Sequence, residues 1–554
     1  MLCSKVVFFA FIIHYGFIIK VHCNSCKEEY ELSITCNSFE DLFNYPEPEK
    51  QESVTVTGEN SEGASKNNMD VFICDEPMFE KFSSVTTLTL NNARVLHISS
   101  DCFTGMNALR AIYIERNELT AIEMDTFRTA NGNELRAIFL NNNHIIKIDF
   151  SDINLPELTQ FEAYSNRVKY VRLKSENLPK VSNMYLGSNH ISKFKIESHS
   201  MGKLDLSENR IKTFQGSDLV LPNLYLIYLN DNLLSTITPD MIENMPNLQS
   251  LYLAHNLLHS VSFPSLKKAN YVDLRYNRIK TMDNVNLTTF GQDYGLLFDS
   301  NKVFQMESQP PFENLKTFTC DSCYIHIIEP LFFADTFKKL TNLALTSNYL
   351  TTANIFKAYE DDLILDNIAL SYNKIKKIGK KDFSRLSELK SLQLDNNDIA
   401  VIAEGAFDKL IKLESLLLSN NIIFQLQPNL FDKTHALQVL SISGNNMAFF
   451  PIPGWEESTG EILITNNTLN NLNTLNIQKN PLQCKCVELI YYWAKKNNVY
   501  LRIDDDSVRN GIKPACIVND QGCKTDVGKD YIKDYWHLFN DMKIKNILGE
   551  DDEE

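Results

Sequence analysis

The stretch LKSLQLDNNDI at residues 389–399 repeats an apolar pattern that occurs again as LQSLYLAHNLL at residues 248–258. In both stretches three leucines alternate with other residues, an asparagine stands three places after the third leucine, and an apolar residue follows two places later. A repeat period in this range predicts a solenoid, whose turns bury their apolar sides against each other. The asparagine position recurs eighteen times, with Ala93 and Cys323 as exceptions, at residues 93, 117, 143, 166, 189, 209, 232, 256, 277, 301, 323, 348, 373, 397, 421, 445, 467 and 480.

Each repeat is predicted to supply one short strand and one return segment. Alternation along the strand points the leucines inward and the residues between them to solvent, and strands of successive turns then pair into one parallel sheet. The asparagine lies inside, where its amide must bond to backbone groups, because buried polar groups are normally satisfied. The return segments carry phenylalanines that we expect to stack as a second apolar column: Phe103, Phe127, Phe383, Phe407 and Phe431.

This ladder, with cysteines concentrated near both ends of the chain, resembles secreted extracellular leucine-rich-repeat proteins. Similar proteins include Toll-like receptor ectodomains, insect leucine-rich immune proteins, and adhesion proteins such as chaoptin and connectin. The fold class expected is therefore an α/β solenoid: a leucine-rich-repeat horseshoe with a concave parallel β-sheet, an irregular or short-helical convex side, and cysteine-rich, disulfide-bonded N- and C-terminal caps. A solenoid needs such caps because its end turns lack a neighbour.

The segment NPLQCKC at residues 480–486 resembles the C-terminal flanking module of these proteins. The resemblance implies Cys484–Cys516 and Cys486–Cys523 bridges, and it places Trp493 on a short helix that closes the core. The front of the chain is less standard, and Cys26–Cys36 with Cys74–Cys102 is the pairing that we expect there.

The first 23 residues are predicted to be a signal peptide, since an early lysine precedes an apolar run that is too short for a membrane span. Ten cysteines remain after cleavage, an even number that suits a secreted, disulfide-bonded chain. With no further apolar stretch of 18 residues, we expect a soluble extracellular protein without membrane insertion. The net charge of −16 argues against nucleic acid as a partner.

Five segments are predicted. They are a signal peptide at 1–23, an N-terminal cysteine-rich cap at 24–80 with a flexible acidic loop at 46–70, about 18 repeats at 81–482, a C-terminal cap at 483–525, and an amphipathic helix with an acidic tail at 526–554. The tail helix around Trp536 has two interpretations: it packs on the C-terminal cap, or it docks a partner chain.

The sequence contains none of the motifs that would indicate an enzyme, a cofactor or a metal site. Cys320 and Cys323 occupy the third leucine position and the asparagine position of one repeat, so both should point inward. We expect two buried thiols there, with a local disulfide as the next alternative and a metal or redox site last.

The outward strand residues predict a binding surface on the concave face. In the N-terminal half they are aromatic residues interleaved with carboxylates, whereas the corresponding residues of the C-terminal half are small or carry neither charge nor aromatic ring. Exposed aromatic rows are typical of protein interfaces, although β propensity and stacking between neighbours are a second explanation. The candidate binding residues are Tyr113, Phe139, Glu162, Tyr164, Tyr185, Asp205, Tyr228, Tyr252, Tyr271 and Asp273.

Two sequons, at Asn286 and Asn466, predict glycosylation. Taken together, these features favour a soluble extracellular recognition protein that binds an extracellular protein ligand, in innate immunity or host–parasite contact. The alternatives are a cell-adhesion or extracellular-matrix component and an extracellular enzyme inhibitor.

Overall fold

The computed structural model describes residues 26–30, 32–58, 71–128, 134–263, 266–286, 293–307, 312, 314–329, 332, 339–452, 455–456, 461–462, 469–503, 516 and 523–524. The predicted signal peptide, residues 59–70 of the predicted acidic loop, Asn466 and the tail around Trp536 lie outside these residues. The chain divides into two compact units, residues 1–269 and 270–554. Each is a parallel-sheet solenoid with little helix, as the sequence predicts.

The main sheet of the first unit takes one short strand from each turn. A strand such as Asn183–Tyr185 buries its central residue and leaves the flanking two half-exposed, which is the alternation expected from the sequence. Neighbours pair in parallel and in register, except that the first two strands form an antiparallel hairpin. The strands are Lys27–Tyr30, Ser33–Cys36, Ser53–Thr57, Thr87–Asn91, Ala111–Tyr113, Ala137–Phe139, Gln160–Glu162, Asn183–Tyr185, Lys203–Asp205, Leu226–Tyr228 and Ser250–Tyr252.

The main sheet of the second unit is built in the same way. Its strands also pair in parallel, and the equivalent central residue is apolar and buried in every strand before the last, Tyr500–Arg502, where Leu501 is half-buried. The strands are Tyr271–Asp273, Tyr294–Leu297, Leu315–Thr319, Asn342–Ala344, Asn367–Ala369, Ser391–Gln393, Ser415–Leu417, Val439–Ser441, Thr474–Asn476 and Tyr500–Arg502.

The return side of each turn is made of short strands, single helical turns and loops. Its strands are Phe72–Cys74, Val95–Ile98, Lys147–Asp149, Tyr170–Leu173, Lys193–Glu197, Leu219–Val220, Thr236–Ile237, Ser260–Ser262, Val285–Asn286, Gln305–Met306, Ile327–Ile328, Lys377–Ile378 and Val401–Ile402. Its helical turns are Phe39–Phe43, Pro48–Lys50, Met124–Phe127, Gly216–Asp218, Pro239–Ile242, Met282–Asn284 and Asn354–Phe356. Of the predicted phenylalanine column, all five rings are buried, and stacking is present in the second unit, where Phe407 lies between Phe383 and Phe431 with ring centroids 6.3 and 6.4 Å apart.

The asparagine ladder bonds one turn to the next inside each solenoid. The amide of Asn189 donates to the carbonyl of Ala163 in the preceding turn at 2.8 Å and to that of Leu186 in its own turn at 3.1 Å. Its side-chain oxygen accepts from the backbone N–H of Val168 at 2.9 Å. One buried side chain therefore satisfies backbone groups that the departing chain leaves open, which is the role predicted for this position.

Replacing Asn189 with alanine is expected to lower the free energy of unfolding by about 2 kcal/mol, because buried carbonyl and N–H groups lose their partner. Urea unfolding followed by far-UV circular dichroism would measure the change. The control is Asn107→Ala, which alters an exposed asparagine of the same unit and should cost little. Equal losses in the two variants would show that the ladder bonds contribute no special stability.

Disulfides lie at both ends of the chain and have the expected pairings. The front of the chain forms Cys26–Cys36 and Cys74–Cys102. The back forms Cys484–Cys516 and Cys486–Cys523, next to the helix Cys484–Lys496, which buries Trp493. Gln483, fully buried before this helix, exchanges two hydrogen bonds with the backbone of Lys524 and so ties the end of the cap to its start.

Three predictions need correction. The strand Ser53–Thr57 lies within the predicted flexible loop 46–70, because Val54 and Val56 are apolar at alternate positions and are fully buried in the main sheet. Cys320 and Cys323 form a disulfide instead of staying as two thiols, because both side chains point into the same turn.

Asn467 lies outside the described residues, but the described strands leave no place for a separate repeat there. The strand Val439–Ser441 pairs directly with Thr474–Asn476, and Asn480 bonds to the backbone of Ile442 and Met447, as a neighbouring turn would. The chain between these strands instead contains an antiparallel pair, Trp455–Glu456 with Glu461–Ile462. The spacing from residue 467 to residue 480 is too short for a turn of this solenoid, and this leaves about 17 turns.

Candidate functional site

The outer surface of the main sheet in the first unit carries a continuous row of aromatic and acidic side chains. The strand register places them side by side because each occupies the last position of its own three-residue strand. Carboxylates flank the central tyrosine, and an aromatic pair lies at each end of the row. In order along the sheet the residues are Tyr113, Phe139, Glu162, Tyr185, Asp205, Tyr228 and Tyr252. Together with Tyr164, we call them the aromatic face.

The two aromatic pairs are stacked and half-exposed. The rings of Tyr113 and Phe139 are parallel, with centroids 4.3 Å apart, and those of Tyr228 and Tyr252 are 4.6 Å apart. Partial burial, with smaller contributions from Tyr252 and Asp205, raises the pKa of Tyr228. The pairs thus present flat apolar surfaces edged by hydroxyl groups, which is the chemistry of aromatic interface residues.

The Asn141 amide holds Glu162 of the aromatic face and the neighbouring Glu115 in place. Asn141 donates to Glu115 at 2.7 Å and to Glu162 at 2.9 Å, while its oxygen accepts from the backbone N–H of Tyr164 at 2.8 Å. Gln160 donates to the other oxygen of Glu162 at 2.6 Å. Because these bonds join three adjacent turns, the acidic side chains are fixed before any ligand arrives.

The ring of Tyr164 rests on the backbone of Gly187. A Cβ atom placed on Gly187 would lie 3.0 Å from the Tyr164 ring and 2.9 Å from the hydroxyl of Ser207, too close for an unshifted side chain. Tyr164 itself is 38% exposed. Beside it is a depression of about 280 Å³ lined by Glu115, Arg116, Asn141, Asn142, Glu162, Tyr164, Tyr185 and Asp205.

The structure divides the ten predicted binding residues between the two units. Eight of them form the aromatic face, whereas Tyr271 and Asp273 belong to the second unit. Asp273 does not fit the predicted role, since it is only 1% exposed. The guanidinium of Arg275 covers it, donating from Nε at 2.9 Å and from an Nη at 2.7 Å. These hydrogen bonds raise the pKa of Arg275, and Asp273 is a buried structural carboxylate instead of a binding residue.

The second unit confirms the contrast expected between the two halves of this column. At the last strand position, five neighbouring strands carry small or flexible side chains without aromatic rings: Ala344, Ala369, Gln393, Leu417 and Ser441. These strands pair in parallel, as those of the first unit do, so β propensity acts on both. The aromatic enrichment therefore belongs to particular turns and not to the repeat itself.

Sequence analysis missed a cluster of exposed aromatic residues in the second unit and one exposed tyrosine in the first. In the second unit, Phe304, Tyr324 and Tyr349 are 52%, 45% and 42% exposed and contact each other on successive turns, with His326 stacked on Tyr349 at 4.7 Å. In the first unit, Tyr225 lies over Gly202 with the Lys203 ammonium 5.9 Å from its ring. In the second unit, each residue of the cluster stands one or three places after the asparagine position of its repeat. An alignment of the repeats on the asparagine position would have revealed the cluster.

Two further predictions concern glycosylation and membrane insertion. The sequon residue Asn286 is exposed on the return side of the second unit. Among the helices that the structure describes, none could cross a bilayer.

Comparison with known proteins identifies the repeats. Three stretches match the family described as Leucine rich repeat, at residues 83–145, 199–258 and 387–447. No curated protein matches the sequence. The chain thus contains leucine-rich repeats, as predicted.

Solved structures resemble the fold at low sequence identity. A Drosophila Toll–Spatzle complex is 16% identical with a TM-score of 0.56, over 85% of this chain and 68% of that chain. A TLR13–ssRNA13 complex is 18% identical with a TM-score of 0.43, over 91% and 86%. A leucine-rich-repeat protein of Leptospira interrogans is 17% identical with a TM-score of 0.42, over 84% and 99%. The similarity to Toll is one of fold.

Proposed function

We propose that this leucine-rich-repeat chain is a secreted recognition protein that binds an extracellular protein partner on the aromatic face of its first unit. The observation that carries the proposal is the pair of stacked, half-exposed aromatic contacts, Tyr113–Phe139 and Tyr228–Tyr252, on an open sheet surface. Aromatic side chains in such rows are typical of the few residues that supply most of the binding energy at protein interfaces. Innate immunity or host–parasite contact is the setting that we propose.

Two further observations support this role. The five disulfides formed by the described residues suit an oxidising compartment, which favours an extracellular location. Toll, which shares the fold, is seen in complex with Spatzle, and a protein ligand is the counterpart that we propose here. The Asn141 network adds preorganisation, which lowers the entropy lost on binding.

The test is partner capture from the extracellular fluid of the source organism with immobilised protein. We expect a triple variant, Tyr185→Ala/Tyr228→Ala/Tyr252→Ala, to lose affinity for the captured protein by about 100-fold or more, because interface tyrosines each contribute substantially. The matched control replaces the same column in the second unit, as Gln393→Ala/Leu417→Ala/Ser441→Ala, and should bind as the wild type does. Circular dichroism first establishes that every variant is folded.

The outcome that counts against the proposal is equal capture by wild type and the triple tyrosine variant. Loss of binding in the control variant alone would place the binding site in the second unit. Failure of the wild type to retain any protein would also contradict the proposed role.

A further inference from the structure

We infer that the partner inserts an arginine side chain into the depression beside Tyr164, at the centre of the aromatic face. This inference rests on the proposed function and specifies the chemistry of the partner. The depression holds about 280 Å³, just below the usual range of sites for whole small molecules. A single long side chain that projects from a docked protein suits it better, since the alkyl part can lie along the rings while the charged end reaches the carboxylates.

The charge of the depression favours a cation. Glu115, Glu162 and Asp205 line it against one basic residue, Arg116. Asn141 and Gln160 each use one acceptor position of Glu162, and a carboxylate oxygen has a second, so acceptor capacity for a ligand remains. Because all three carboxylates lie in one shallow site, a cation that enters it gains attraction from each of them.

The spacing of the carboxylates favours an extended cation over a metal ion. In the part of the chain that the structure describes, no three acidic, histidine or cysteine side chains converge closely enough to hold a metal. Glu115 and Glu162 are instead kept apart by the Asn141 amide that bonds to both. A guanidinium is flat, carries five donors and can bridge separated carboxylates, which a point charge does less well.

The aromatic rings supply the second half of the site. The exposed ring of Tyr164 is fixed against Gly187, and Tyr185 lines the same depression. A cation within about 6 Å of a ring centroid is attracted to the ring face, and arginine makes such contacts most often. The same sheet already contains one example, with the Lys203 ammonium 5.9 Å from the ring of Tyr225. Carboxylates and a tyrosine face together therefore select arginine over neutral side chains.

The experiment measures binding of fluorescein-labelled hexa-arginine to the full chain by fluorescence anisotropy at physiological salt. Hexa-citrulline is the probe control, because citrulline keeps the shape of arginine without its charge. The first variant, Glu115→Gln/Glu162→Gln, removes two charges from the site and keeps the shape of both side chains. The second variant, Gly187→Ala, keeps every charge, and its Cβ displaces the Tyr164 ring and the Ser207 hydroxyl.

We expect hexa-arginine to bind the wild type and hexa-citrulline to bind much more weakly. Removing the two carboxylates should weaken binding by about tenfold, and Gly187→Ala should weaken it several-fold. The matched control is Glu360→Gln/Asp361→Asn, which removes two exposed charges from the second unit and should leave the affinity unchanged. An equal loss in this control would show attraction to net charge alone and overturn the inference, as would unchanged binding in both site variants.

Partner capture with the same proteins separates this inference from the proposed function. Loss of the partner with both Glu115→Gln/Glu162→Gln and the triple tyrosine variant supports both. Loss with the triple tyrosine variant but retention with Glu115→Gln/Glu162→Gln leaves the recognition role standing and refutes the arginine anchor. Retention of the partner by both variants refutes the proposed function. It also refutes the arginine anchor, even if hexa-arginine binds.

Discussion

Replacing Arg275 with methionine is expected to lower the free energy of unfolding by about 3 to 5 kcal/mol, the cost of leaving a buried charge without its partner. Asp273 is almost fully buried, and both of its oxygens accept from the Arg275 guanidinium. Methionine fills similar space but offers no donors. Urea unfolding at pH 7, followed by far-UV circular dichroism, gives the free energy.

The control for this variant is Lys316→Met. Lys316 pairs with Asp293 at 2.7 Å in the same unit, but both side chains are about half exposed, so water replaces the lost partner and the cost should be small. The double variant Asp273→Asn/Arg275→Met should recover most of the loss, because the buried charge is then absent. A cost for Arg275→Met that is no larger than for Lys316→Met would show that the Asp273–Arg275 pair is not effectively buried in solution.

Removing the Cys486–Cys523 bridge as Cys486→Ala/Cys523→Ala is expected to lower the free energy of unfolding by about 3 kcal/mol. The Cys484–Cys516 bridge stays closed, so the loop that opens consists of the segments 484–486 and 516–523, and its opening returns conformational entropy to the unfolded chain. The Cys486–Cys523 bridge also connects the helix Cys484–Lys496, which covers the end of the core with Trp493, to the last described residues. Urea unfolding by circular dichroism measures the change.

The internal comparison is the Cys320–Cys323 bridge, removed as Cys320→Ala/Cys323→Ala. Its cysteines are only three residues apart, and the same entropy relation gives about 2 kcal/mol. Both variants replace two cysteines by alanine in the same unit, so the difference between them reports mainly on loop length. Similar losses would mean that packing around the sulfur atoms dominates and that loop entropy does not.

The sequence predicts which residues of the candidate site face outward and which of them are neighbours on the sheet. The repeat fixes which residue of each strand faces outward, so Tyr113, Phe139 and Tyr185 could be placed in one column from spacing alone. The spacing does not determine how each outward side chain packs against its neighbours. Asp273 turns out to be buried because Arg275, two residues later, lies over it, and Tyr164 is fixed because the next turn has glycine at the matching position.

For the fold, the sequence by itself determined the solenoid, the parallel strands, the inward asparagines and the phenylalanine column. These features follow from the short apolar repeat, because each copy can bury its apolar side chains only against a neighbouring copy. The local sequence pattern and the overall fold therefore agree. Only the tertiary structure decided that Cys320 and Cys323 are joined, that the strands Val439–Ser441 and Thr474–Asn476 pair directly, and that Phe304, Tyr324 and Tyr349 meet on one surface. These features depend on contacts between individual residues, within one turn for the cysteines and between successive turns for the aromatic rings. A repeating pattern specifies the stacking of the turns without specifying those contacts.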